Sequence, residues 1–268
     1  MNPMRLLLLL VVLLHVRLLA ADAPKPKEGG LEDLFKLGLG VIKAADEVGQ
    51  GMLGLSADEE AKVGAELNKL IMRKLPVYEE AATLARVRRL AEPFLVTRKR
   101  KAINYNFTLL EASETNAFSH LGGYVYLNRG ILKFAGSDAE LQFVLGHEIA
   151  HIDLGQCTRK VTYAARAAQV AGDFGRDIAP LVQAAYSVLA VGFSQTEEFA
   201  ADEWAYRLMR ANGRSPKEGL ALAERFAELP ASANLKARET PFDDLLENHF
   251  RTHPPASARL ARLSRLER

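Results

Sequence analysis

The stretch from 141 to 155, LQFVLGHEIAHIDLG, constrains this chain more than any other. It holds His147, Glu148 and His151 in the order His-Glu-x-x-His. On an α-helix, positions i and i+4 lie about 40° apart around the axis, so both imidazoles leave the same face one turn apart. Two histidines so placed can each give one nitrogen to a tetrahedral zinc ion. Glu148 stands beside them, placed to take a proton from a water activated there and poorly placed to be a third ligand within the same turn. The flanking residues agree with a helix. Ser137-Asp138-Ala139-Glu140 is a capping box, with Ser137 as N-cap and Glu140 at N3. Leu141, Val144, Leu145, Ile149 and Ile152 give an apolar stripe. Ionisable groups buried in such a helix need partners, and a metal is the simplest one. A hydrogen-bonded core cluster is the plainer alternative.

A zinc site of this type needs one more protein ligand, and a second helix start supplies a candidate. Ser194-Gln195-Thr196-Glu197 is another capping box, which occupies Glu197 with the backbone. That cap does not use Glu198, and a carboxylate there completes a two-histidine, one-glutamate set with one position open. Asp202, four residues on, shares its face and suits the other ring N–H of a ligand histidine. Without the first motif, the same residues read as an acidic helix start favoured by the helix dipole. His253 sits in the turn Thr252-His253-Pro254-Pro255, before a final helix from 256 to 268 that carries Arg259 on its first turns. Two prolines stiffen that turn. His253 could donate to a developing oxyanion, occupy the open metal position at rest, or be a loop residue. The one cysteine, Cys157, cannot form a disulfide within the chain. A helix continued from His151 turns it away from the ligand face, so it reads as a semi-buried thiol.

Composition sets the frame. Of 268 residues, 49% are hydrophobic and 25% charged, an ordinary globular balance, and the net charge of +2 points to no nucleic-acid partner. Met1 and Arg5 precede an unbroken apolar run, Leu6 to Leu14, and small residues follow at 20–23. This predicts a signal peptide cleaved after Ala20 or Ala21, with an uncleaved anchor as the alternative. Residues 23–30, APKPKEGG, read as a linker, and 31–48 as an amphipathic helix broken by glycines at 49–54. Helices are expected over 57–75 and 79–93, both scaffold. Strands are expected over 103–110 and 124–127, joined past Gly122-Gly123 into a short antiparallel sheet. Its edge could pair with an extended peptide, or the hairpin could only pack the helix. Residues 156–193, low in charge, suggest a pair of helices. The nearly apolar 178–193 could touch a membrane surface, with a buried core hairpin as the alternative.

Taken together, these pieces resemble the zinc metallopeptidases of the HtpX, BepA and CAAX-prenyl-endopeptidase type. Asn116-Ala117-Phe118, Gly122-Gly123, Asn128-Arg129-Gly130, Leu145-Gly146-His147-Glu148-Ile149-Ala150-His151, Glu198-Phe199-Ala200-Ala201-Asp202 and Thr252-His253-Pro254-Pro255 with Arg259 run in family order. The resemblance covers about 56–266. It implies an α+β, mostly helical zincin-like fold with a small antiparallel sheet beside the metal helix. It also implies one zinc on His147, His151 and Glu198, Glu148 as general base, Asp202 and Arg259 around the ligands, and His253 near the metal. Gln156 departs from it, standing where many relatives have a further histidine. No multi-span membrane region or repeat array accompanies the motifs. The expected organisation is therefore a signal peptide (1–21), a linker with an amphipathic helix (22–55) and a metallopeptidase domain (56–268). The expected activity is endoproteolysis of protein or peptide substrates, misfolded or membrane-associated, outside the cytoplasm and, in a bacterium, in the periplasm. A zinc-stabilised chaperone with latent peptidase activity is the alternative.

Overall fold

The computed structural model describes residues 55–169, 178–215, 217, 221–222, 224–225 and 256–266. The expected signal peptide, the linker and helix up to residue 54, and His253 lie outside the described residues. The site and its supports belong to one compact unit, Gly54–Thr162 with Phe174–Arg268.

Three helices begin where capping chemistry marks them. Helix α1, Ala57–Met72, starts at Ser56, whose hydroxyl accepts from the Glu59 amide while the Glu59 carboxylate accepts the Ser56 amide at 2.8 Å. Helix α2, Ala81–Thr97, is capped instead by the Glu80 carboxylate, which accepts from the amides of Ala82 and Thr83. The expected stop at Pro93 is wrong, because α2 runs on for another turn. A proline inside a helix removes one amide donor. Here Thr97 Oγ1 returns to the Pro93 carbonyl at 3.0 Å, closing the turn beyond.

Strands β1 (Asn106–Leu110), β2 (Ala117–His120) and β3 (Tyr124–Asn128) form a sheet in the order β1-β3-β2. The fold is α+β and mostly helical, as expected. The sheet, however, is mixed rather than antiparallel throughout. The strand at 117–120 was not anticipated, and it makes the hairpin with β3, pairing Ala117 with Leu127 and His120 with Tyr124. The chain crosses over through β2, so β1 lies on the other side of β3 and parallel to it. Residues 103–105 precede the strand as irregular chain after the turn closed by the Ile103 amide on the Arg100 carbonyl, and Ile103 is buried there. Alternation along β2 sends Phe118 and His120 to one side, where the Phe118 ring stacks on Tyr126 at 4.6 Å, and Ser119 to the other.

Past helix α3 (Arg129–Phe134) comes helix α4, Asp138–Asp153, the metal-motif helix, capped by Ser137 as expected. It is buried on all sides from Glu140 to Asp153, so the apolar stripe read from sequence is only part of its contact surface. Helix α2, strand β2 and helix α7 pack around it. Gly146 makes this possible: a Cβ there would stand 2.8 Å from the Phe94 ring on α2 and 3.0 Å from Ala205 Cβ on α7. Helix α4 does not continue to Cys157. It ends at Asp153, and a turn starts helix α5, Gln156–Gln169. Cys157 is fully buried rather than half-buried, and burial pushes its thiol pKa far up, so the thiol is held protonated.

Helix α6, Ala179–Val191, packs on α1 with Ala184, Ala185, Val188 and Leu189 buried. Helix α7, Gln195–Ala211, opens with the capping box of Ser194 and Glu197. Its inner face carries Glu198, Ala201, Asp202 and Ala205, and Trp204 stacks on Phe94 with centroids 5.7 Å apart. Helix α8, Ala256–Leu263, brings Arg259 against α7. Among the described residues, no helix is long and apolar enough to cross a membrane.

Candidate metal centre

Helices α4 and α7 bring three basic atoms to one point. His147 Nε2 lies 3.0 Å from His151 Nε2 and 3.3 Å from Glu198 Oε2, and His151 Nε2 lies 3.8 Å from Glu198 Oε1. Ligand atoms on a tetrahedral zinc stand about 3.3–3.6 Å apart, given bond lengths of about 2.0–2.2 Å. The set has that size, and its atoms all lie within 4.8 Å of one another.

The outer ring nitrogens show which way the lone pairs point. His147 Nδ1 donates to Asp202 Oδ1 at 2.9 Å, and His151 Nδ1 donates to Gln156 Oε1 at 2.5 Å. With a proton on each Nδ1, both Nε2 lone pairs converge on a carboxylate, and only a cation placed among them satisfies all three. Burial alone would lower the pKa of His147, but the Asp202 and Glu198 carboxylates outweigh it and hold the ring up at about 9. A site that draws in a proton so strongly draws in a metal by the same field, and metal binding then displaces the proton. The donor set of two imidazoles and one carboxylate fits zinc.

The surroundings are ordered around these ligands. Burial would raise Asp202, but Arg259 holds it well below the usual carboxylate range. Arg259 donates through Nε to Oδ2 at 2.7 Å and through Nη2 to Oδ1 at 2.5 Å, the two-pronged geometry that fixes a carboxylate in plane. Phe193 stacks flat on the other ligand ring, His151, with centroids 3.7 Å apart. Lys160 stands 4.8 Å over the Phe193 ring.

Glu148 sits on the same helix, 2% exposed. Burial pushes its carboxyl up to about 7, and the His147 charge and the Ser119 hydroxyl pull against that. Ser119 Oγ lies 2.8 Å from Glu148 Oε2 and 3.0 Å from the Glu148 carbonyl. Ser119 is thus a direct partner of the glutamate, and the sequence alone gives it no role. Recognising a strand at 117–120 would have put Ser119 on the face towards the helix. Gln156 was noted only as a departure from a histidine. It proves to orient His151 through Oε1 while its Nε2 donates to the Glu197 carbonyl at 3.1 Å. The sites read from sequence at His147, Glu148, His151, Glu198, Asp202 and Arg259 all meet here, and His253 lies outside the described residues.

The model of Peptidase family M48 matches residues 80–267, most of the chain. The chain is 32% identical over 133 residues to the metalloprotease LoiP of Escherichia coli K12, covering 46% of this chain and 52% of that protein. It is 30% identical over 196 residues to a protease HtpX homolog of Acaryochloris marina, covering 59% of this chain and 65% of that one. It is 25% identical over 171 residues to the β-barrel assembly-enhancing protease of Escherichia coli K12, covering 59% of this chain and 33% of that protein. The chain thus spans between a third and two thirds of these relatives. A family match over 80–267, with the motifs of that family folded into one buried donor set, places the chain in Peptidase family M48.

Proposed function

We propose that this protein is a zinc-dependent endopeptidase acting on protein substrates outside the cytoplasm. The observation that carries this is the convergence of His147 Nε2, His151 Nε2 and Glu198 on one point, with Glu148 beside it. His147, His151 and Glu198 hold the ion, and bound zinc supplies Lewis acidity towards the scissile carbonyl and towards water. Glu148 takes the proton from the attacking water and delivers it to the leaving amine, and Ser119 orients the carboxylate for both transfers. Asp202, held by Arg259, and Gln156 keep the two imidazoles turned to the ion. Strand β2 is the outer strand of the sheet beside α4, but all four of its residues are buried, which favours a hairpin that packs the helix over one that pairs with an extended substrate.

Export rests on the apolar run and small residues of 1–21, which read as a signal peptide ahead of a linker (22–55) and the catalytic domain (56–268). N-terminal sequencing of secreted or periplasmic protein should give Ala21 or Asp22, and intact Met1 on cytosolic protein overturns export. The outer side of α6, with Leu181, Val182 and Tyr186 half-buried, supports contact with a membrane surface, which liposome flotation tests. His253, in its proline-stiffened turn, either donates to the oxyanion or restrains the enzyme at the open metal position. His253→Ala should lower kcat about 10²-fold in the first case and raise basal cleavage in the second.

The deciding experiment compares wild type with Glu148→Gln on an unfolded protein. Wild type should cleave, and the variant should keep its zinc while losing about 10²–10⁴-fold in kcat. A chaperone with latent activity would instead suppress aggregation equally in both, with no cleavage by either.

A further inference from the structure

Helix α1, which carries no chemistry in the sequence, buries one carboxylate completely. Glu60 is 0% exposed. Its partner is Arg100, on the loop after α2, which reaches it with both guanidinium prongs: Nη2 on Oε2, and Nη1 on Oε1 at 3.2 Å. The pair does more than neutralise itself. Glu60 Oε1 also accepts the Gly122 amide at 3.1 Å, in the turn joining β2 to β3. Arg100 Nη1 also donates to the Ile152 carbonyl at 3.0 Å and lies 3.3 Å from Thr158 Oγ1. The backbone amides of Lys99 and Arg100 donate to Asp153, at 3.1 and 2.9 Å. Gly64 lets α1 press onto the turn, since a Cβ there would meet the Leu121 carbonyl at 2.5 Å.

Each end of this clamp leads to a residue of the site. Ile152 and Asp153 follow His151 on α4. Gly122 follows β2, whose Ser119 hydroxyl holds the Glu148 carboxylate. One ion pair, its carboxylate buried and its guanidinium half-buried, therefore sets the position of the metal helix relative to the strand that orients its glutamate. Glu60 precedes the segment matched by the family model, so nothing in that match assigns it a part.

We propose that Glu60 and Arg100 are positioning residues for the base, acting by holding β2 and its Ser119 in register against α4. The inference rests on Glu148 serving as base. Glu60→Gln keeps the shape and an acceptor for the Gly122 amide but removes the charge that fixes Arg100. With zinc content, melting temperature, kcat and KM measured on the full chain, Glu60→Gln should fold, hold zinc at the wild-type ratio, keep KM within about twofold and lose about 10- to 100-fold in kcat, the cost of a small misplacement. If Glu60 works through Ser119, the loss should largely disappear in a Ser119→Ala background, because two residues of one chain of contacts do not add. A variant that melts lower but turns over at the wild-type rate, or losses that multiply in the double variant, would show a structural role only and overturn the proposal. Should Glu60→Gln fail to fold, Arg100→Lys keeps the charge but not the fork and is held to the same kcat-only loss and the same non-additivity. Cleavage that persists in Glu148→Gln overturns the base assignment and this inference together. Glu148-dependent cleavage with unchanged kcat in Glu60→Gln overturns this inference alone.

Discussion

Asp202 shows how much a residue can matter without touching a metal. It accepts from His147 Nδ1 at 2.9 Å, and two prongs of Arg259 keep it ionised and in plane. Asp202→Asn should weaken zinc binding by about 10- to 100-fold, read by competition with a chromogenic chelator. His120 offers a test of stability away from the metal. Burial lowers its pKa from 6.5 to about 4, against a hydrogen bond to the Leu121 carbonyl. Above pH 6.5 the ring is neutral in both folded and unfolded chains. Between pH 6.5 and about 4 the unfolded chain takes the proton and the folded one does not, so stability falls as pH falls through that window. The loss is at most about 3 kcal/mol. Urea unfolding at pH 7 and pH 5 should show His120→Gln losing less over that interval than wild type. The ligand residues were legible because their spacing is local: four residues on one helix, and the first turn of another. Ser119 was not, because it meets Glu148 only when β2 packs against α4, and Gln156 was not, because its reach back to His151 depends on the turn that ends α4.

At the level of elements, the starts of α1, α4 and α7 were legible because Ser56, Ser137 and Ser194 satisfy amides three residues on. Ends were less so. Thr97 carries α2 past Pro93, and α4 stops at Asp153, where Gly155 two residues on turns the chain with a positive φ of 69°. The approach of α4 to its neighbours depends on Gly146. In Gly146→Ala the new methyl meets the Phe94 ring at 2.8 Å and Ala205 Cβ at 3.0 Å, so α2 and α7 must move outwards. The expected cost is about 1–3 kcal/mol. Because α7 carries Glu198, zinc affinity should fall with it. A variant with wild-type melting temperature and zinc affinity would show that the helices have slack there.

At the scale of the whole molecule, the metal joins two helices that lie far apart in sequence, α4 and α7. Removing it should destabilise the fold by an amount that depends on free zinc, about 4 kcal/mol when zinc stands at a thousand times its dissociation constant. Melting temperature measured against buffered zinc should rise logarithmically. The order of strands was illegible because pairing β1 with β3 spans an intervening strand that is short, fully buried and without alternation of polarity. One contact in this region gives the molecule a reporter of its own. Trp204 is the single tryptophan in the chain, and it lies on Phe94 two residues beyond Asp202. Its fluorescence therefore comes from the seam between α2 and α7. Stripping zinc, which removes the tie between Glu198 and the two histidines and loosens α7 on α4, should shift that emission to longer wavelength and open the indole to acrylamide quenching. The loading of the site can then be followed in real time, without a label and without a substrate.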